Sequence, residues 1–110
     1  MTIDTVDWTY GAEHIQQRSQ RKGHREYDLE PQWATEATLD RKRLVRDSGS
    51  KSGQTIAIIG YSPSIGKILT VILIPKDHPA RDAWWGVSAW LANKKDQRAY
   101  TEDGGIKIEE

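Results

Sequence analysis

Apolar, β-branched residues crowd into one stretch, Thr55 to Trp90, and leave most of the remaining chain polar. Ile56, Ile58 and Ile59 form one short run, Ile68 to Ile74 a second and Trp84 to Trp90 a third. Each has strand length and is bounded by Gly, Pro, Ser or Asp, so three consecutive strands are predicted. Between them, Tyr61 to Gly66 and Pro75 to Ala83 carry turn residues: proline fixes φ, and Gly66 can take a positive one. The prediction is an antiparallel meander. Ahead of it, Ala12 to Lys22 contains good helix formers and is followed by Gly23, a suitable stop. Asp28-Leu29-Glu30-Pro31 then opens a second helix over Gln32 to about Asp40, with proline at its first position and Trp33 and Ala37 on one face. A short strand is expected around Leu44 and Val45, and a polar glycine-bearing loop over Asp47 to Gly53. After the meander, Asn93 with Asp96 three residues on reads as a capped helix start, running to about Asp103 and ended by Gly104 and Gly105. The first ten residues show no periodicity, although Trp8 and Tyr10 suit anchors on the core.

These elements predict an α+β domain: a small antiparallel β-meander sheet of three to four strands, two N-terminal helices and one C-terminal helix. A chain of 110 residues makes one domain, 1–110, with a core over about 8–103 and loose ends at 1–7 and 104–110. Hydrophobic residues are 36% of the chain and phenylalanine is absent, so five Trp and four Tyr must supply much of the buried area. With no cysteine there is neither a disulfide nor a thiolate metal site. The opening MTIDTVDW lacks the character of a signal peptide, and the apolar runs are too short to cross a bilayer. The expectation is a soluble, cytoplasmic protein with no membrane contact.

Formal net charge is zero, which argues against coating nucleic acid through bulk charge. The distribution is uneven, however. His14 to Arg25 holds Arg18, Arg21, Lys22 and Arg25 without a carboxylate, Arg41 to Arg46 adds more cations, and many acids lie near the two ends. A neutral chain can still present a basic face.

Familiar catalytic signatures are missing: no phosphate loop, no dinucleotide fingerprint and no GxSxG elbow. His14, His24 and His78 are scattered without metal-ligand spacing, so neither a metal nor another cofactor is expected. What remains is a set of cationic, imidazole and phenolic groups. Such groups suffice for RNA cleavage by the substrate's own 2′-hydroxyl, where a base takes its proton, cations stabilise the crowded phosphate and an acid protonates the leaving oxygen. Trp84, Trp85 and Trp90 precede Asn93, Lys94, Lys95, Arg98 and Tyr100, aromatic rings beside basic residues that suit an unpaired strand, while the alternation of a strand equally sends at least one of these Trp into the core.

The order helix, helix, meander, basic helix, with GYSPSIGKILTVILI and VSAWLANKKDQRAYTED, resembles the BrnT-like toxins of the RelE/ParE-like superfamily. The matching positions are Gly60, Ser62, Gly66, Lys67 and Leu69, then Ser88, Ala89, Asn93, Lys94, Lys95, Arg98, Tyr100 and Glu102. Similarity lies mainly over 55–103. Where that family's pattern has Arg-Lys at the end of its last strand, this chain has Trp90-Leu91. The resemblance implies the toxin of a bacterial type II toxin–antitoxin pair, a metal-independent endoribonuclease held by a cognate antitoxin and able to form a homo-dimer. His14, whose ordinary pKa permits acid and base roles, becomes the leading catalytic candidate. Arg18 and Lys67 would hold phosphate, with Arg98 and Tyr100 completing the catalytic set. Trp90, Asn93, Lys94 and Lys95 would bind RNA. The alternative is a non-catalytic RNA- or protein-binding module of the same fold. The nuclease reading requires folding to bring the early imidazole and the late cations to one hollow.

Overall fold

The computed structural model describes residues 3, 5–17, 28–47, 55–76 and 83–104. In chain order its elements are β1 (Thr5–Asp7), α1 (Ala12–Gln16), α2 (Pro31–Thr38), β2 (Leu44–Asp47), β3 (Ile56–Ser62), β4 (Lys67–Pro75), β5 (Ala83–Leu91) and α3 (Lys94–Ala99), followed by a π-helical turn at Tyr100–Gly104. The class is α+β. The apolar runs pair as the meander: Ile58 lies opposite Val71, and Val71 opposite Ala89. Gly66 closes the first hairpin at φ 64°, the left-handed region that an L side chain seldom occupies.

Two features correct the sequence expectation. The sheet has five strands in the order β1-β5-β4-β3-β2, and it is mixed rather than antiparallel, because β1 runs parallel to β5 with Val6 opposite Trp84. Residues 5–7, expected to be loose, are that strand. Three residues cannot display an alternation, so nothing in their own pattern announces a strand. Their register is set by backbone pairing and by the Lys76 Nζ to Asp7 Oδ2 ion pair at 2.8 Å. Ile3, just before, is buried.

The helices divide between the two faces. Even-numbered residues of β3 point at α2: Gly60 lies under the Ala37 carbonyl, and Ser62 Oγ donates to Glu36 at 2.7 Å. Through the register, odd residues of β4 share that face, and Leu69, Val71 and Leu73 are buried there with Ala34, Ala37, Ile15, Leu29, Trp8 and Trp84. Small residues on α2 let it approach the sheet closely. Trp8 Nε1 donates to Thr35 Oγ1 at 3.0 Å and the Leu29 N–H to the Ile15 carbonyl at 2.9 Å, tying α1 to α2. The expected continuation of α1 to Lys22 lies outside the described residues.

On the other face lies α3. Asn93 caps it as expected, accepting from the Asp96 N–H at 2.8 Å. Asp96 does not return the bond; its carboxylate turns to the sheet, accepting from Thr70 Oγ1 at 3.1 Å and Arg46 Nη1 at 3.2 Å. Ile59, Ala92 and Tyr100 are buried on this side. Asn93→Ala is expected to cost about 1 kcal/mol, the usual worth of such a cap, read as a lower urea midpoint at unchanged slope.

Candidate functional site

The predicted catalytic residues do not converge. Gly11, at the start of α1, packs on the Gly86 carbonyl, and Gly86 lies opposite Leu73 near the end of β4. Lys67 is at the other end of that strand, and at about 3.3 Å per residue the two positions are roughly 20 Å apart. His14 is exposed on α1, beside a hollow shared with Tyr10, Glu13 and Gln17. Arg98 and Tyr100 belong to the opposite face of the sheet. Arg18 lies outside the described residues. The early imidazole and the late cations therefore do not share a hollow.

Convergence occurs instead around Tyr61, which is 41% exposed. One hollow, of about 310 Å³, is lined by Tyr61, Gly66, Lys67, Ile68, Leu91, Ala92 and Gln97. A second, of about 440 Å³, is lined by Asp40, Arg41, Lys42, Tyr61 and Tyr100. The Tyr61 ring is common to both. Lys67 stands at the rim of the first and is exposed, as are Arg41 and Lys42 at the second. Gln97 is oriented by its own bond: Nε2 donates to the Ala92 carbonyl at 2.8 Å, so that contact uses the amide's donor side and not Oε1. Above these hollows, α3 exposes Asn93, Lys94, Lys95 and Arg98 to solvent, and Trp90 is half-buried beside Thr70's strand position.

Asp40 organises the second hollow. It accepts from the Lys42 N–H at 2.9 Å, the Tyr61 N–H at 2.9 Å and the Tyr100 hydroxyl, joining the end of α2, β3 and the π-turn. Burial pushes its carboxyl up, but the Tyr100 hydroxyl and the two N–H groups outweigh it, and the net displacement is downward. Burial, then the bond to Asp40, pushes the Tyr100 phenol well above its ordinary range. That hydroxyl is a latch at neutral pH. Glu36 plays a similar part for the β3–β4 turn: burial raises it, yet hydrogen bonds from the Ser64 and Ser62 hydroxyls and the Ser64 N–H leave it lowered.

Asp7 is held down to about 2, from an ordinary 3.8, by its bond from Lys76 and then by Thr9. A folded-state pKa below the unfolded one means stability that is present above about pH 4 and is lost as the pH falls towards 2. Urea midpoints should therefore drop across that window, and Asp7→Asn should flatten the drop while leaving the slope above pH 5 unchanged.

Lys67, Tyr100 and the α3 cations were legible from the sequence. Asp40, Tyr61 and Gln97 were not. The available signal was Asp40-Arg41-Lys42-Arg43, an acid leading a run of bases after a helix, a place where an Asp side chain bonds the backbone two residues on. Among the described residues no cluster of His, Asp or Glu could hold a metal ion, and no helix is long and apolar enough to cross a membrane. Comparison with known proteins adds no relative: no family model matches the chain, and no curated protein matches it.

Proposed function

We propose that the chain is a small RNA-binding protein of the toxin type, BrnT-like, which receives single-stranded RNA at the paired hollows around Tyr61 and is controlled by a protein antitoxin in the cytoplasm. The observation that carries this reading is one exposed phenol ring flanked on one side by Lys67 and on the other by Arg41 and Lys42. A ring accepts any base by stacking, and flanking cations meet phosphates. The order of helices, meander and closing basic helix supports a RelE-like fold, with the parallel β1 as an addition.

Ribonuclease activity is the second reading, favoured by Tyr61 and the Asp40–Tyr100 pair lying together with Lys67 at the rim of the Tyr61 hollow. Binding without cutting ranks first because the Asp40 carboxylate and Tyr100 hydroxyl are engaged with each other and His14 is at the far end of the sheet.

Anisotropy with a labelled single-stranded RNA tests both. Tyr61→Ala is expected to weaken binding about tenfold, within the usual worth of one stacked base. Lys67→Ala should weaken it and reduce the salt slope by about one, while His14→Ala binds as the parent does. Absence of binding, or indifference to both Tyr61 and Lys67, overturns the reading. RNA shortened on a gel by purified protein, and left whole by Lys67→Ala, would move the assignment to the nuclease toxin.

A further inference from the structure

Beyond α3, the second face of the sheet is not covered by any described helix. Ala57, Ile72, Ile74 and Trp85 are half-buried there. At its far end a hollow of about 380 Å³ is lined by Tyr10, Gly11, Ile74, Trp85, Gly86 and Val87. Tyr10 is 79% exposed, and its ring lies 5.1 Å from that of Trp85 at an interplanar angle of 55°. The Lys76 ammonium stands 4.3 Å from the Trp85 ring centroid. The wall is irregular: Ile72 pairs with Ser88 and Leu73 with Gly86, so Val87 is an extra residue with no partner in the register. Such a bulge leaves backbone polar groups outside the ladder.

We infer that this hollow is a second base-stacking subsite for the same single-stranded RNA. The inference rests on the RNA-binding reading of the Tyr61 hollows and extends it to a strand long enough to reach both ends of the face. An aromatic pair, unladdered backbone groups and an ammonium match a nucleotide's three parts: the base stacks on the rings, its edge meets the backbone, and its phosphate meets Lys76. The Lys76–Asp7 pair is open to solvent and can yield its cation to a phosphate. A second copy of the chain fits this place poorly. Three strands at about 4.8 Å spacing and three or four residues of length make a patch of roughly 150 to 200 Å², against about 800 Å² per partner in a stable interface.

The two subsites lie at opposite ends of β4. Tyr61 pairs with Ile68 and Trp85 with Ile74, a separation of roughly 20 Å. A strand joining them crosses the exposed side of α3, which carries Lys94, Lys95 and Arg98. Helical geometry sets Lys95 about 100° from the inward-facing Asp96, on the flank away from Gln97 and towards the half of the face that no described helix covers. The α3 cations thus lie between the aromatic ends, where phosphates would pass.

The experiment compares a trinucleotide with an RNA of about twelve nucleotides, a length within the usual single-strand site range. Parent protein should bind the longer RNA at least tenfold more tightly, because the second contact becomes intramolecular. Tyr10→Ala, at an exposed position, and Trp85→Ala should each remove most of that gain and leave trinucleotide binding unchanged. If both variants bind the longer RNA as the parent does while Tyr61→Ala is weakened, the second subsite is overturned and the first stands. If Tyr61→Ala is also unaffected, the RNA reading itself falls. Should Tyr10→Ala instead change only self-association in sedimentation, the hollow is a protein contact and the inference fails.

Discussion

Asp40→Ala is expected to lower the unfolding free energy by about 2 kcal/mol, chiefly the cost of orphaning the buried Tyr100 hydroxyl, because the Lys42 and Tyr61 N–H groups are exposed and can turn to water. The carboxylate receives the Tyr100 hydroxyl and the N–H groups of Lys42 and Tyr61. Tyr100 is 8% exposed, so its hydroxyl cannot readily find water when the acceptor goes. Tyr100→Phe removes donor and need together and should cost about 1 kcal/mol. The double variant should therefore cost less than the two single ones added, a coupling measurable by urea denaturation of all four proteins. A loss below about 1 kcal/mol for Asp40→Ala would show that the π-turn is held by its packing on β2 instead. Because the Asp40 carboxyl is lowered in the folded state, its contribution is present above the ordinary carboxylate range and fades as the pH falls below it. Acid should thus release the turn and the Tyr61 segment together.

Gly60→Ala should be comparably damaging for a steric reason. A Cβ at this position would lie 2.0 Å from the Ala37 carbonyl oxygen and 2.8 Å from its carbon, both backbone atoms of α2. No side-chain rotation relieves that contact, so the helix must lift from the sheet and draw Ala34, Ala37 and Thr38 away from Ile58 and Leu69. Overpacking of this kind costs about 3 kcal/mol at the upper end of its usual range, and the thermal midpoint should fall by roughly 10 to 20 °C. Calorimetry checks it. An unchanged midpoint would mean that α2 is free to shift, contrary to its ties through Trp8, Glu36 and Asp40.

What the sequence disclosed follows from how each element is held. The meander was legible because each of its strands carries its own apolar run, and α2 because Pro31 marks its start and Ala34 and Ala37 share its buried face. β1 was hidden: its place is decided by β5, distant in the chain, and three residues have no period to read. The bulge at Val87 was equally silent, since both neighbours look like ordinary strand. The site was half legible. Charge and aromatic character mark Lys67, Lys94, Lys95 and Arg98, but grouping depends on strand register, and register places His14 at the wrong end. Asp40 and Gln97 act through bonds to backbone, which composition does not reveal. Lys76 is silent in the sequence for another reason: the antiparallel β4–β5 pairing brings Trp85 to it and the parallel β1–β5 pairing brings Asp7.

That parallel pairing also sets the tempo of assembly. Thr5 waits for Ala83, and Asp7 for Trp85, so a strand made well before its partner is among the last to find its place. The hairpins of the meander and the docking of α2 can form before it, and β1 then closes one border of a sheet already built. Refolding should show a late step sensitive to Val6 and to the Asp7–Lys76 pair but indifferent to changes at the β3–β4 turn. During vectorial synthesis every residue lining the Tyr10–Trp85 hollow has been made before Gln97 and Tyr100 arrive to complete the Tyr61 end.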